Sequence, residues 1–173
     1  MFSTAVLNLD CEAAANNIAA ILREQVLGKL RRKGLVVGIS GGIDSAAVAA
    51  LAVRALGPER VFGVFMPERD SSDDSLRYGQ ALASKLGIEA TVEDLTPMLD
   101  GAGCYARQLE AIRMVFPEYG AGWRMKVTLP SLLDSDRLNV TQLVVRDAQG
   151  TMRQARLSPV AYRQLIAATN FKQ

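Results

Sequence analysis

Leu35-Val36-Val37-Gly38-Ile39-Ser40-Gly41-Gly42-Ile43-Asp44-Ser45 is the stretch on which the fold turns. A short apolar run stops at Ser-Gly-Gly, and an alanine-rich segment follows at once. That order predicts a strand, a tight glycine turn and a helix N-terminus. Such a junction presents unpaired backbone N–H groups and the positive end of a helix dipole, a ready site for phosphate. Gly41 and Gly42 carry no Cβ, so the turn is expected to adopt unusual dihedrals and to let an anion approach the backbone. Ser40 and Ser45 add hydroxyls. Asp44 serves as a helix N-terminal acid and sits where a phosphate-bound Mg2+ needs a ligand. Neither G-x-x-x-x-G-K-[ST] nor G-x-G-x-x-G occurs here. The common phosphate loop is thereby excluded, and a dinucleotide loop fits poorly.

Outward from this stretch the chain alternates. Apolar residues at three- and four-residue steps predict a helix over 10–33, its cationic end Arg31-Arg32-Lys33 closed by Gly34. A second helix is expected over 43–56, stopped by Gly57-Pro58. Residues 61–66 carry no charge, as in a parallel strand buried on both faces. Pro67 ends that strand, and 68–75 supply capping residues and acids for a helix closing at Gly87. A third strand is expected over 88–95. Strand, helix and strand in short units imply α/β architecture with a doubly wound parallel sheet, whose ligands bind outside the carboxyl ends of the strands. Both 40–45 and 67–72 fall there.

Beyond Thr96-Pro97 the pattern changes. A helix is expected over 105–116, a turn-rich connection over 117–124, and a β-hairpin from 138–145 and 152–157 around Asp147-Ala148-Gln149-Gly150. Ser158-Pro159 marks the start of a last helix. At 173 residues, 49% of them apolar, the expectation is a single domain over 1–173.

Composition removes several classes of function. There is no histidine, hence no Ser-His-Asp or Cys-His catalysis and no histidine metal site. Cys11 and Cys104 are far apart with no C-x-x-C, which signals neither zinc nor a disulfide framework. A net charge of +2 offers no strong field for nucleic acid or anionic membrane. No apolar run approaches a membrane span, and the start of the chain lacks a basic signal-peptide region, so a cytoplasmic setting is expected.

The pattern S-G-G-x-D-S after a strand resembles the pyrophosphate loop of the ATP pyrophosphatases, the PP-loop group with the adenine nucleotide alpha hydrolase-like fold. Within that group the wider sequence is similar to NAD synthetase. The similarity rests on residues 37–45, on Gly63-Val64-Phe65-Met66-Pro67 with Ser71-Ser72, and on Ala168-Thr169-Asn170-Phe171-Lys172-Gln173. The resemblance implies ATP and Mg2+ as ligands, with deamido-NAD and ammonia as substrates. ATP would adenylate the nicotinate carboxylate with release of pyrophosphate, and ammonia would then displace AMP. It also implies a pyrophosphate cradle from Gly38, Ile39, Ser40, Gly41, Gly42, Ile43, Asp44 and Ser45, with Asp44 on the metal. Met66, with Phe65 and Pro67, would line the adenine pocket, and Ser72, with Arg69, would reach the ribose or phosphates. No side chain is required as nucleophile or base, because oriented N–H groups and Mg2+ stabilise the phosphate charge.

Family members are typically homodimers. The short stretch before residue 35 leaves no room for a glutaminase domain, which implies the ammonia-dependent form. Residues 104–158 depart from the short form of the family and read as an insertion. The family's chain continues into substrate-binding elements that do not appear by residue 173, so the expectation is an N-terminal portion that catalyses poorly by itself. Two other readings stand beside this one: another PP-loop enzyme, tRNA-modifying or an amidotransferase-type ligase, and a non-catalytic nucleotide-binding fragment.

Overall fold

The computed structural model describes residues 8–128 and 141–171. Its contacts divide the chain into two compact units, Met1–Thr96 and Pro97–Gln173. The division falls at Thr96-Pro97, where the periodicity changes.

The first unit opens with helix α1 (Cys11–Arg23). Asp10 caps it, accepting a hydrogen bond from the N–H of Ala13 at 3.0 Å. The helix widens into a π-helical turn over Glu24–Lys29 and leaves the helical path at Leu30. Arg31 then takes a left-handed φ of 49°. The helix therefore ends before the basic cluster and not at Gly34. Gly34 is needed for another reason, since a Cβ there would lie 2.2 Å from the carbonyl oxygen of Arg60.

Strand β1 (Leu35–Gly38), helix α2 (Ile43–Leu56), strand β2 (Val61–Phe65), helix α3 (Asp73–Leu86) and strand β3 (Glu89–Val92) follow in order. The three strands are parallel and lie in the order β1-β2-β3, with Leu35 opposite Val61 and Phe62 opposite Glu89. Val37, Ile39, Val61, Phe65 and Ile88 pack with Ala49 and Ala52 of α2 and Ala83 of α3 in one core. Alanines on the helices let the backbones approach the sheet closely. Because α2 and α3 share that face, β2 is not buried on both sides as its apolar run suggested. Val36 is 71% exposed and Phe62 37%. Ala19 and Val26 pack α1 and its extension against Ala55 and Leu56 of α2.

The second unit holds α4 (Thr96–Gly101, beginning at the boundary), α5 (Cys104–Arg113), β4 (Arg124–Thr128), β5 (Gln142–Arg146), β6 (Met152–Arg156) and α6 (Pro159–Phe171). The strands form an antiparallel sheet in sequence order. The hairpin is present, and Asp147 closes its turn by accepting from the N–H groups of Gln149 and Thr151 at 3.0 and 2.8 Å. The turn-rich connection expected over 117–124 runs up to the start of β4 at Arg124, and neither β4 nor α4 was anticipated. The expected strand residues 138–140, and Lys172 and Gln173 of the family-like terminus, lie outside the described residues. Leu143 and Val145 on the inner face pack with Ala111, Ile112, Phe116 and Leu165. Ser158 caps α6, its hydroxyl accepting from the N–H of Ala161 at 3.2 Å.

Candidate functional site

The turn between β1 and α2 is held by its own hydroxyls. Ser45 donates its hydroxyl to the Gly42 carbonyl at 3.0 Å and accepts the N–H of Ser40 at 3.1 Å. The two serine hydroxyl oxygens lie 3.1 Å apart. With the Ser45 proton engaged on Gly42, Ser40 donates that bond. Ser40 Oγ in turn accepts the N–H of Gly42 at 3.3 Å. The first helical bond runs from Ala46 N–H to the Gly42 carbonyl at 3.1 Å.

These bonds consume the N–H groups of Ser40, Gly42 and Ala46. The N–H groups of Gly41, Ile43, Asp44 and Ser45 have no partner among the described residues. Gly42, the residue before α2, supplies no side-chain cap. Four free donors at a helix start, with the dipole behind them, form a cradle for an anion.

The two glycines differ. Gly41 has φ +80°, and a Cβ on it would lie 2.2 Å from the Ser75 carbonyl oxygen, so both its dihedral and its packing demand glycine. Gly42 has φ −86° and ψ 164°, ordinary extended backbone, and a Cβ there would make only van der Waals contact with Ser40 Oγ at 3.4 Å. Unusual dihedrals, expected for both, belong to Gly41 alone.

Of the remaining expected residues, Gly38 ends β1, and Ile39 is buried with its N–H bonded to the Val64 carbonyl at 2.9 Å. The side chain of Ile39 therefore serves the core, and its N–H is unavailable to a ligand. The Ile43 side chain is 82% exposed. Asp44 is exposed in the first turn of α2.

Beside the turn lies a cavity of about 150 Å³ lined by Ile39, Ser40, Phe65, Met66, Pro67, Ser71, Ser72, Ser75 and Leu76. The structure thus brings Met66 and Ser72 together with Ser40, while Gly41 to Ser45 do not line that space. Sequence reasoning passed over Ser75. Its carbonyl seats against Gly41, its N–H bonds Ser72 Oγ at 3.3 Å, and the two hydroxyls lie 2.9 Å apart. The Ser72-Asp73-Asp74-Ser75 spacing of a capped helix start was the available signal.

A larger cavity of about 530 Å³ lies at the opposite strand edge, among Leu35, Val36, Val61, Phe62 and Glu89. These residues begin their strands. Ligands of open parallel sheets sit at the other edge, which makes the smaller cavity and the turn the candidate site. Among the described residues no cluster of three acidic, cysteine or histidine side chains exists to hold a metal alone. A single exposed carboxylate beside free N–H groups suits a Mg2+ that arrives with phosphate and keeps most of its shell from phosphate and water.

The sequence profile of the NAD synthase family matches residues 14–129. The chain belongs to that family. An NH3-dependent NAD+ synthetase of Mesorhizobium japonicum is 54% identical over 168 residues, which cover 97% of this chain and 53% of the relative. The chain spans about half the length of the curated relatives it matches. Among solved structures, the NH3-dependent NAD synthetase of Campylobacter jejuni, in complex with nitrate ion, is 27% identical with a TM-score of 0.51. That match covers 63% of this chain and 52% of the other. The glutamine-dependent NAD+ synthetase of Acinetobacter baumannii, in complex with ADP, is 25% identical with a TM-score of 0.50. It covers 62% of this chain and 19% of its own. The family's α/β fold with a parallel sheet agrees with the first unit. Among the described residues no helix is long and apolar enough to cross a membrane.

Proposed function

We propose that the turn 38–45 binds the phosphates of ATP for the adenylation step of an ammonia-dependent NAD synthetase. The carrying observation is the set of four unpartnered N–H groups, Gly41, Ile43, Asp44 and Ser45, at an uncapped helix start beside the cavity of Met66 and Ser72. The cavity is smaller than the ~300 Å³ at the low end of ligand pockets, so it takes only part of a nucleotide. In this reading adenine or ribose enters between Met66 and Ser72, while the phosphates lie over the turn. That the Acinetobacter relative was solved in complex with ADP supports an adenine nucleotide as the kind of ligand.

In the reaction, a carboxylate oxygen of deamido-NAD attacks the α-phosphorus of ATP, the bond to the bridging β-phosphate oxygen breaks, and pyrophosphate leaves. Ammonia then adds to the acyl carbon, AMP departs, and a proton is lost to solvent. The negative charge gathering on the leaving pyrophosphate is what the four N–H groups stabilise, without reorganising as the charge develops. Asp44 would hold Mg2+, which when bound neutralises part of that charge. The serine bonds keep the N–H groups in place, since Ser45 bridges Ser40 and Gly42. A homodimer and a cytoplasmic setting belong to the same reading, supported by family membership and by the free thiols of Cys11 and Cys104. Residues 104–158 are read as an insertion relative to the family's shorter form.

The test is calorimetric titration of the chain with ATP, with and without Mg2+. Asp44→Asn is expected to weaken Mg-ATP binding about tenfold, near the ~1.4 kcal/mol of one lost charge-assisted ligand, and to leave metal-free ATP binding unchanged or tighter. Equal binding of Mg-ATP by both proteins would remove Asp44 from the metal. No ATP binding by the parent chain would remove the nucleotide reading itself.

A further inference from the structure

The chain's net charge of +2 conceals an uneven division. Met1–Thr96 holds 10 Lys and Arg against 12 Asp and Glu, while Pro97–Gln173 holds 10 against 6. In the second unit the excess gathers on one surface. Register places Arg124 opposite Arg146, Lys126 opposite Val144, and Arg156 opposite Gln142, all on the outer face of the antiparallel sheet. Arg124, Lys126, Arg146 and Arg156 are all exposed, and none forms an ion pair or hydrogen bond among the described residues. Among the described residues of β4, β5 and β6 no acidic side chain shares the face. Asp147, which follows β5 directly, is occupied in closing the hairpin turn.

The inner face shows the contrast. Its one cation, Arg153, pairs with Glu118 and stacks 4.9 Å from the Trp123 ring centre. Like charges directly opposite on adjacent strands destabilise a sheet. The Arg124–Arg146 pair is therefore a cost to folding that an anionic partner would turn into a gain.

We propose that this outer face docks an extended acidic polypeptide segment. Along β4, Arg124 and Lys126 stand two residues apart, about 7 Å, the spacing at which an extended chain repeats side chains on one side. Alternate carboxylates of such a segment meet the cations in register, with guanidinium groups offering paired N–H donors to each. Strands β4 and β6 have no further strand partner among the described residues, so their outer edges offer backbone groups to an added strand. Single-stranded nucleic acid fits less well. Strands β4, β5 and β6 put no aromatic side chain on this face for bases to stack on, and Phe116, Tyr119 and Trp123 lie with the inner core.

The experiment is fluorescence anisotropy of a labelled octapeptide alternating glutamate and threonine, titrated with the chain. A lysine-threonine octapeptide and an oligothymidylate serve as comparison probes. Saturable binding of the glutamate peptide, weakening with salt, is expected. The double variant Arg124→Glu/Arg146→Glu should lower affinity about tenfold, two surface ion pairs lost and two repulsions added. Arg31→Glu/Arg32→Glu, which reverses an exposed basic pair elsewhere, should leave affinity within about twofold. An unchanged or raised melting temperature for the first variant shows that binding, not folding, was lost. If that variant fails to fold, Arg124→Gln/Arg146→Gln carries the same comparison. The proposal is overturned by absent saturation, by equal loss in both double variants, or by tighter binding of the oligothymidylate. Salt-dependent self-association that disappears in Arg124→Glu/Arg146→Glu would also overturn it, by making a second copy the occupant.

Discussion

Helices α2 and α3 begin at the same edge of the same parallel sheet, each just after a strand, yet their first turns are built oppositely. At α3, Ser72 accepts the N–H of Ser75, and the start is closed by its own side chain. At α2, Gly42 has no side chain to offer, and the nearby serines turn their hydroxyls onto the loop itself. Four N–H groups remain open at α2. A parallel sheet gathers helix starts along one edge, and a start without a side-chain cap keeps one more donor for an anion than a capped one. The capped neighbour still takes part, because its Ser75 carbonyl fixes Gly41 in place.

The largest test of this contrast is Gly41→Ala. A left-handed φ costs a side chain about 1–2 kcal/mol, and the clash with the Ser75 carbonyl adds a similar amount, so a loss of about 2–4 kcal/mol in urea unfolding is expected. Gly42→Ala, with ordinary dihedrals and only van der Waals contact for the added Cβ, should change stability by less than about 1 kcal/mol. Equal losses at the two glycines would undo the distinction drawn between them.

Next in size is Ser72→Ala, which should destabilise the chain by about 1 kcal/mol through loss of the α3 cap. The α2 donors remain, so ATP affinity should fall less than in Ser45→Ala, which removes the acceptor for Ser40 N–H. A larger loss of affinity at Ser72 than at Ser45 would shift the nucleotide contact toward α3.

The smallest effect concerns the packing of α1 on α2. Arg54 of α2 hydrogen-bonds Glu12 and reaches Asn16 Oδ1 at 2.7 Å. The Arg54 hydrogen bond and charge hold the Glu12 carboxyl below its ordinary 4.5. Folded chain therefore binds fewer protons there than unfolded chain, and the contribution is complete above pH 4.5 and fades as pH falls through the lowered value. Both groups are solvent-exposed, so the effect is small. Comparing urea midpoints at pH 6 and pH 3.5, Glu12→Gln should lose less stability on acidification than the parent. An identical pH dependence would show that the pair contributes nothing.

Where local chemistry decides, the sequence was sufficient. The bounds of α2, the cap at Ser158, the hairpin turn at Asp147 and the left-handed stop at Gly87 all follow from side chains acting on backbone within a few residues. So does the glycine turn itself, together with the family resemblance it carries. Other features depend on distant partners. Strand β4 does alternate polar and apolar residues, a strand signal present in the sequence, but its register, Met125 against Val145 and Val127 against Leu143, is set by a distant partner. The π-helical turn over Glu24–Lys29 carries Val26 and Leu27, which pack with Ala55 and Leu56 of α2, far along the chain.

What the sequence by itself determined is the kind of site: a strand, a glycine turn and a helix start whose backbone donors suit phosphate, set in an α/β chain of the NAD synthase family. Tertiary structure decided which donors remain free, because hydrogen bonds across the turn consume some N–H groups and leave Gly41, Ile43, Asp44 and Ser45. It also decided which of two adjacent glycines is irreplaceable, since only packing brings the Ser75 carbonyl to Gly41. The charge on the outer face of the second sheet is of the same origin. Arg124 and Arg146 are 22 positions apart in the chain, and strand register alone sets them side by side.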